Sequence, residues 1–453
     1  MAAGSLLVLA GLLGCGNQYR PVIVPVTPTG PPLQGGAFVT VISSISQGSP
    51  GIGTILDFAG DSILAQINLG STPLGFSQNR QGGQALTINT DGTLNSFAIS
   101  GSVQTKNVGT TSLLPGVGPG NALSTSVGAY YIVERRAVPN AVGVLTGNPP
   151  GPQQDIPVPS GLVTLVGRTG TQRIYALSQL VEGDACNNPG VATAGVASGI
   201  ETTSNTISSA LPVGVCPVYG VGSADGFRIF VLNRGSNNVT VIDSEKNVLD
   251  TENGGKNTTI PVGGGPVYAE LYDLASQLVT ANYDGNSVSV IDVTTDNFGN
   301  DSPQFGTVHT IPVGSHPSSV TILQDGTRAY VANSGDGTVS VVNLNSYTVE
   351  KTIRVAGTPR LISSIYSTPF GKVYVSSPDI ASVTVIRTDT DEIETTIPVQ
   401  GNLIDLRVSR QNIAANTQSI NVSYLPGAGV PCVTGTDCAA AAGPAPSAGA
   451  ASH

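Results

Sequence analysis

Tryptophan is absent from the 453 residues, methionine occurs once and histidine three times. So small a supply of imidazole and thioether leaves heme, copper and histidine-based zinc chemistry almost without ligands, and no cofactor is implied. Charged side chains make up 11% of the chain, against roughly 25% in an average soluble domain. The balance is 19 basic to 29 acidic residues, a formal net charge of −10. That excludes nucleic acid as a partner, because phosphate affinity rests on clustered Lys and Arg. Also missing are the runs of Ala, Leu, Glu, Lys and Arg from which long helices are built. Present instead are 57 glycines and 31 prolines, beside 40% hydrophobic residues. The chain has apolar material for a large core and turn residues to interrupt it often, which points to an all-β fold.

Residues 5–14, SLLVLAGLLG, form an apolar run too short to span a bilayer and of the length of a signal-peptide core. Leu12-Leu13-Gly14-Cys15 resembles a bacterial lipobox. The resemblance implies that residues 1–14 are a lipoprotein signal peptide and that Cys15 carries acyl chains, although no Lys or Arg precedes the run. Gly16 after the cysteine implies, by the same resemblance, sorting to the outer membrane of a two-membrane bacterium. An ordinary signal peptide with an incidental cysteine is the alternative reading. Residues 15–37 hold Pro21, Pro25, Pro28, Pro31 and Pro32, a spacing that favours polyproline II and makes a tether. Residues 426–453 are rich in Ala, Gly, Pro and Ser without an apolar period, and are expected to be a disordered tail.

Between these ends the sequence repeats. Asn233, Asn282 and Asn333 each stand 16 residues after Pro217, Pro266 and Pro317. Six residues beyond each Asn a strand-like segment begins: VTVID, VSVID and VSVVN, all alternating with the period of a pleated strand. Weaker copies extend both ways, with anchors near residues 73, 119, 160, 359 and 403, at a mean period of about 47. Four short strands per repeat of that length specify a β-propeller blade, which buries its two faces only when stacked between neighbours in a closed ring. Residues 38–425 are therefore read as one propeller of four-stranded antiparallel blades, eight favoured and seven the alternative. In the eight-bladed reading, segments after Leu403 supply three strands, and residues 62–70, pairing with 418–425, add the fourth, so an N-terminal strand closes the ring.

Tyr330-Val331-Ala332-Asn333 followed by Thr338–Val342 resembles the YVTN-type β-propeller repeat of bacterial and archaeal surface proteins. Ile229–Asn233 and Ala281-Asn282-Tyr283 are degenerate versions of it. The good matches cover about residues 211–400. The resemblance implies the fold, with lactonase-like propellers among the fold relatives, and says little about activity.

Candidate chemistry is sparse. Asp91, Asp225, Asp284, Asp325 and Asp336 each precede a glycine, which suits hairpin turns needing positive φ better than catalysis or calcium binding. Residues 296–302, DNFGNDS, gather Asp296, Asn297, Asn300 and Asp301, oxygen donors that suit calcium but lack EF-hand spacing. A solvated loop is the simpler reading, and no metal site is assigned. His309 lies in a strand and His316 in a turn, with no G-x-S-x-G elbow near them to make a hydrolytic nucleophile. Cys186, Cys216, Cys432 and Cys438 remain after Cys15. An even number in an exported chain suggests disulfides, with Cys186 expected to pair with Cys216 and Cys432 with Cys438.

Two functional readings follow. The favoured one is a lipid-anchored exported propeller in the cell envelope, a non-catalytic module binding an envelope or extracellular protein, a glycan or a small molecule. Residues 244–258 and 294–308 both follow third strands, so both are expected on one face of adjacent blades as an interaction surface. The alternative is a lactonase-like hydrolase or lyase at the central funnel. That reading requires charged residues from several blades to converge on the axis; Arg234, Asp284 and Arg387 are candidates, and an axis without a polar cluster would favour binding.

Overall fold

A computed structural model describes residues 37–409, apart from short stretches of which the longest is 182–192. Eight antiparallel sheets follow one another around a ring. Their innermost strands are Pro73–Gln78, Gly118–Ser126, Leu162–Val166, Pro217–Gly222, Pro266–Tyr272, Pro317–Ile322, Leu361–Ile365 and Asn402–Val408, numbered here as blades I to VIII. Each begins within two residues of an anchor read from the repeat. Within blades I to VII the chain runs outward strand by strand. In blade IV the outer strand is broken into Val248–Leu249 and Thr259–Pro261, both paired to Asn238–Asp243.

Ring closure differs from the expectation in its division of strands. Residues Ile63–Ser71 are an outer strand, as expected, and among the described residues they pair with Pro50–Asp57; residues 418–425, the partner expected from the sequence, lie outside the described residues. Phe38–Ser44 is the second strand of blade VIII and pairs with Asn402–Val408 from Val39↔Val408 to Ser44↔Asn402. Among the described residues, the N-terminal segment thus supplies three strands of this blade and the C-terminal segment one. The physical reason lies in FVTVISS and PGIGTILD. These are full second- and third-strand patterns, buried along almost their whole length, and leave the C-terminal segment only the inner position to fill. Residues 410–425, like Cys15 and the tail, lie outside the described residues.

The fixed spacing of the repeat has a structural cause. Asn233, Asn282 and Asn333 are buried at the ends of second strands, and each side-chain amide donates across the following turn. Asn233 reaches Asn238 and Thr240 at 2.8 Å each, Asn282 reaches Ser287 and Ser289 at 3.2 and 3.0 Å, and Asn333 reaches Thr338 and Ser340 at 3.0 and 2.9 Å. Asn89 of blade I does the same toward Thr93 and Asn95. Each Asn also packs against a glycine three residues before the first proline of its blade, at or just past the end of the preceding outer strand: Gly70, Gly214, Gly263 and Gly314, where an added Cβ would stand 2.5 or 2.6 Å from an Asn side-chain atom. In blades III, VII and VIII a serine takes the Asn place and bonds instead to the connecting carbonyl. Ser178 donates to Pro159, Ser377 to Ala356 and Ser43 to Gln400. The shorter side chain leaves room there, and no glycine is needed.

Candidate functional site

The two long third-to-outer connections meet as expected. At their centre is Arg228, only 3% exposed, on the second strand of blade IV. Its guanidinium lies 2.9 Å from Asp250, 3.2 Å from Asp301, 3.4 Å from Glu252 and 3.8 Å from Asp243. Asp250 and Glu252 belong to the blade IV connection and Asp301 to that of blade V. The backbone N–H of Asp301 donates to Glu252 at 2.7 Å, and the Asn257 amide donates to Asp301 at 2.8 Å. Burial, joined by the nearby charge of Asp250, raises the Asp301 pKa although Asn257 and Arg228 oppose it. Asp243 is also partly buried, but bonds from Lys246 and the Arg228 charge hold its pKa below the ordinary range. A buried cation among several carboxylates holds its partners firmly, because removing it would strand charge in a poorly solvated place. The outcome is one joined polar surface from two blades, capped by Phe298 at 86% exposure.

The two acidic residues of 296–302 are already engaged, Asp301 by Arg228 and Asn257 and Asp296 within the loop. Asp296 accepts from the N–H groups of Phe298 and Asn300 and from the Asn300 amide at 2.8, 2.9 and 3.0 Å.

A second polar group sits at the axis. Asp405 and Arg407 project from the innermost strand of blade VIII, with Arg407 Nε 3.4 Å from Asp405 Oδ1 and both side chains buried. Across the ring stand Tyr219 of blade IV and Tyr268 of blade V, their ring centroids 5.0 Å apart. The Arg407 charge acts on both tyrosines, whose own pKa values burial drives upward. Two residues beyond Tyr268, Glu270 accepts from the Ile322 N–H at 3.1 Å and from the Thr321 hydroxyl. Burial pushes the Glu270 carboxyl up to about 7 against those two bonds. It likewise pushes Asp405 up to about 6, against Arg407 and the Leu406 N–H. At the end of blade VII's incoming connection, Arg360 is brought down to about 10 by burial, opposed by Tyr283 and Asp405. Innermost strands therefore do bring charges from several blades together.

These charges are not the ones picked out from the sequence. Arg234 and Asp284 do meet, in a two-pronged pair with both contacts at 3.1 Å, but in second-to-third-strand turns on blades IV and V. Arg387 pairs with Asp389 at 2.7 Å and lies 3.8 Å over the Phe370 ring. His309 stacks on Tyr347 at 3.8 Å, and the exposed His316 stands 4.6 Å from the Tyr283 ring. The turn glycines Gly92, Gly226, Gly326 and Gly337 have positive φ, as the Asp-Gly pairs require; after Asp284 it is Asn286 that does so. Cys216 is buried with φ +56, its sulfur 3.7 Å from the Gln179 amide, whereas Cys186, Cys432 and Cys438 lie outside the described residues. Sequence reasoning missed Glu270, Asp405 and Arg407. The available signal was a charge set inside an apolar innermost strand, VYAELY and LIDLRV, where a neighbouring blade offers an aliphatic residue or a hydroxyl.

No protein-family model matches the chain, and no curated protein does either. Solved structures share the fold at low identity. AztD of Citrobacter koseri is 14% identical with a TM-score of 0.57, over 82% of this chain and 97% of that one. The dihydro-heme d1 dehydrogenase NirN, in complex with DHE, is 12% identical with a TM-score of 0.58, over 86% and 78%. A periplasmic gluconolactonase of Pseudomonas aeruginosa, PpgL, is 13% identical with a TM-score of 0.50, over 82% and 99%. At such identities the likeness concerns the fold alone.

Proposed function

We propose that this chain is an exported, lipid-anchored β-propeller of the cell envelope that acts as a non-catalytic binding module. The lipobox-like segment at Cys15 and the proline-rich tether support the location. One observation carries the binding role: two loop insertions from adjacent blades are joined around buried Arg228 into a single surface, with Phe298 86% exposed upon it. Loops fixed on a rigid scaffold are where propellers and sandwiches place recognition, and an exposed aromatic over a polar rim suits a protein partner. The experiment is crosslinking in the native envelope with the full-length protein, compared with a Phe298→Ala, Val248→Ser variant. A partner lost with the variant supports the face. Equal capture by both proteins defeats it.

A hydrolase or lyase at the funnel is the second reading, favoured by the axial group. Glu270 and Asp405, with carboxyls near 7 and 6, have the protonation range of a general acid or base. Against it, Asp405 and Arg407 engage each other and, with Tyr219 and Tyr268, are almost wholly buried, so side chains of the ring itself fill the axis at that level. The fold likeness to a gluconolactonase makes gluconolactone the probe. Hydrolysis by the purified protein that disappears in Glu270→Gln would establish catalysis in place of passive binding.

A further inference from the structure

Between blades VI and VII, on their first-to-second-strand turns, a cleft of about 200 Å³ is lined by Gln324, Arg328, Ser364, Tyr366, Ser367 and Thr388. That is room for a handful of waters or one small ring, at roughly 30 Å³ per water. Its cations are already committed. Arg328 grips both oxygens of Asp391 at 2.8 and 2.7 Å and also donates to the Thr388 carbonyl. Arg387, just outside, is held by Asp389 and Phe370. An anion would find no unpaired positive charge among the described lining residues.

What the cleft does offer is an aromatic wall and hydroxyls. Tyr366 is 50% exposed. Ser367 is 3% exposed, and its buried hydroxyl makes no hydrogen bond among the described residues, a costly arrangement for a polar group unless a ligand or water completes it. At the back, Ser364 bonds Thr321 at 3.0 Å, and Thr321 in turn bonds Glu270, so the cleft floor is continuous with the axial group.

We propose that this cleft binds one ring of an uncharged saccharide, the apolar face of the sugar against Tyr366 and its hydroxyls on Ser367 and the ion-paired polar rim. The chemistry matches on each count. A sugar has a flat C–H face for an aromatic ring and a dense array of donors and acceptors, and it needs no net countercharge. The inference rests on the binding-module reading but uses a site distinct from the Phe298 surface.

Saturation-transfer NMR on the full chain tests it, with glucose, galactose, mannose and N-acetylglucosamine as single sugars and as short oligosaccharides, and glycerol as the control. At least one sugar should receive saturation where glycerol does not, and Tyr366→Ala should weaken it by about tenfold or more, the loss of one stacking contact and its packing. Ser367→Ala should weaken binding several-fold without lowering the unfolding midpoint of the free protein, which separates a ligand contact from a structural one. Absence of transfer from every sugar overturns the site, as does transfer that survives Tyr366→Ala unchanged. Conversion of a bound sugar to product would leave the site standing and overturn the non-catalytic reading instead.

Discussion

Asn333 occupies the space that a side chain at Gly314 would need: a Cβ there would stand 2.5 Å from the Asn333 amide nitrogen. The two residues are one device, since the same amide spans the next turn to Thr338 and Ser340. Blade VII carries the other solution, Ala356 with Ser377. Gly314→Ala should therefore destabilise by about 2 kcal/mol, in the range of core overpacking. Adding Asn333→Ser should recover part of that loss, which is the decisive arm. Denaturant midpoints of the two variants check it, and a double variant worse than the sum of the singles would break the pairing.

That device also explains what is legible in the sequence. Asn and Gly occur together in blades I, IV, V and VI; in the last three a third strand of alternating valines follows the Asn at a fixed step, so spacing alone locates them, whereas blade I carries TLNSFA there and reads only as a weak copy. Where Ser replaces Asn, in blades III, VII and VIII, the glycine is released and the motif fades. Blade VIII is further obscured because its strands come from both ends of the chain, so closure has to be inferred from too few C-terminal strands. The loop surface is foreseeable from strand alternation, which fixes the face of every connection. The axial charges are not, because which of two alternating positions reaches the axis depends on sheet twist and stacking. Arg234 and Arg387 are instead taken up locally, Arg234 by Asp284 across two second-to-third-strand turns and Arg387 by Asp389 two residues on.

Removing the cation that joins the insertions should be more harmful than removing one of its anions. Arg228→Met would leave Asp243, Asp250 and Asp301 buried without their shared partner, at a cost of about 3–5 kcal/mol. Asp301→Asn keeps the bond from Asn257 and removes one of several negative charges, so it should cost less than about 1 kcal/mol. Thermal unfolding of both variants tests the order, and equal losses would mean that the cluster is only a solvated surface network.

The disulfide pairings proposed from the sequence are open to direct mapping. Cys216 sits in the connection from blade III to blade IV. A bridge to Cys186 would close a loop of about thirty residues and stabilise by about 3 kcal/mol in the chain-entropy model. Peptide mapping without reduction should find Cys186 joined to Cys216 and Cys432 to Cys438, and reduction should lower the unfolding midpoint. A Cys216 peptide joined to either tail cysteine would refute the assignment.

The two axial carboxyls should respond oppositely to neutralisation. Glu270 is raised to about 7 by burial, so the folded chain keeps a proton that the unfolded chain gives up above the ordinary Glu value of about 4.3. Its stabilising contribution is complete below that value, declines as pH climbs, and is gone once pH passes about 7. Glu270→Gln preserves an acceptor for Ile322 and Thr321 while removing the titration. It should be near neutral at pH 4 and more stable than the parent at pH 8. The gain should be about 4 kcal/mol at most, since each tenfold change in proton affinity is worth about 1.4 kcal/mol. Asp405 is also raised, to about 6, yet it faces Arg407, 2% exposed on the same strand. Asp405→Asn deprives that guanidinium of its countercharge, so no gain is expected at pH 8 and a loss of about 2 kcal/mol or more is. Urea unfolding at pH 4, 6 and 8 separates the cases. A Glu270→Gln advantage that does not change with pH would remove burial as the cause, and a stabilising Asp405→Asn would show that Arg407 does not depend on Asp405.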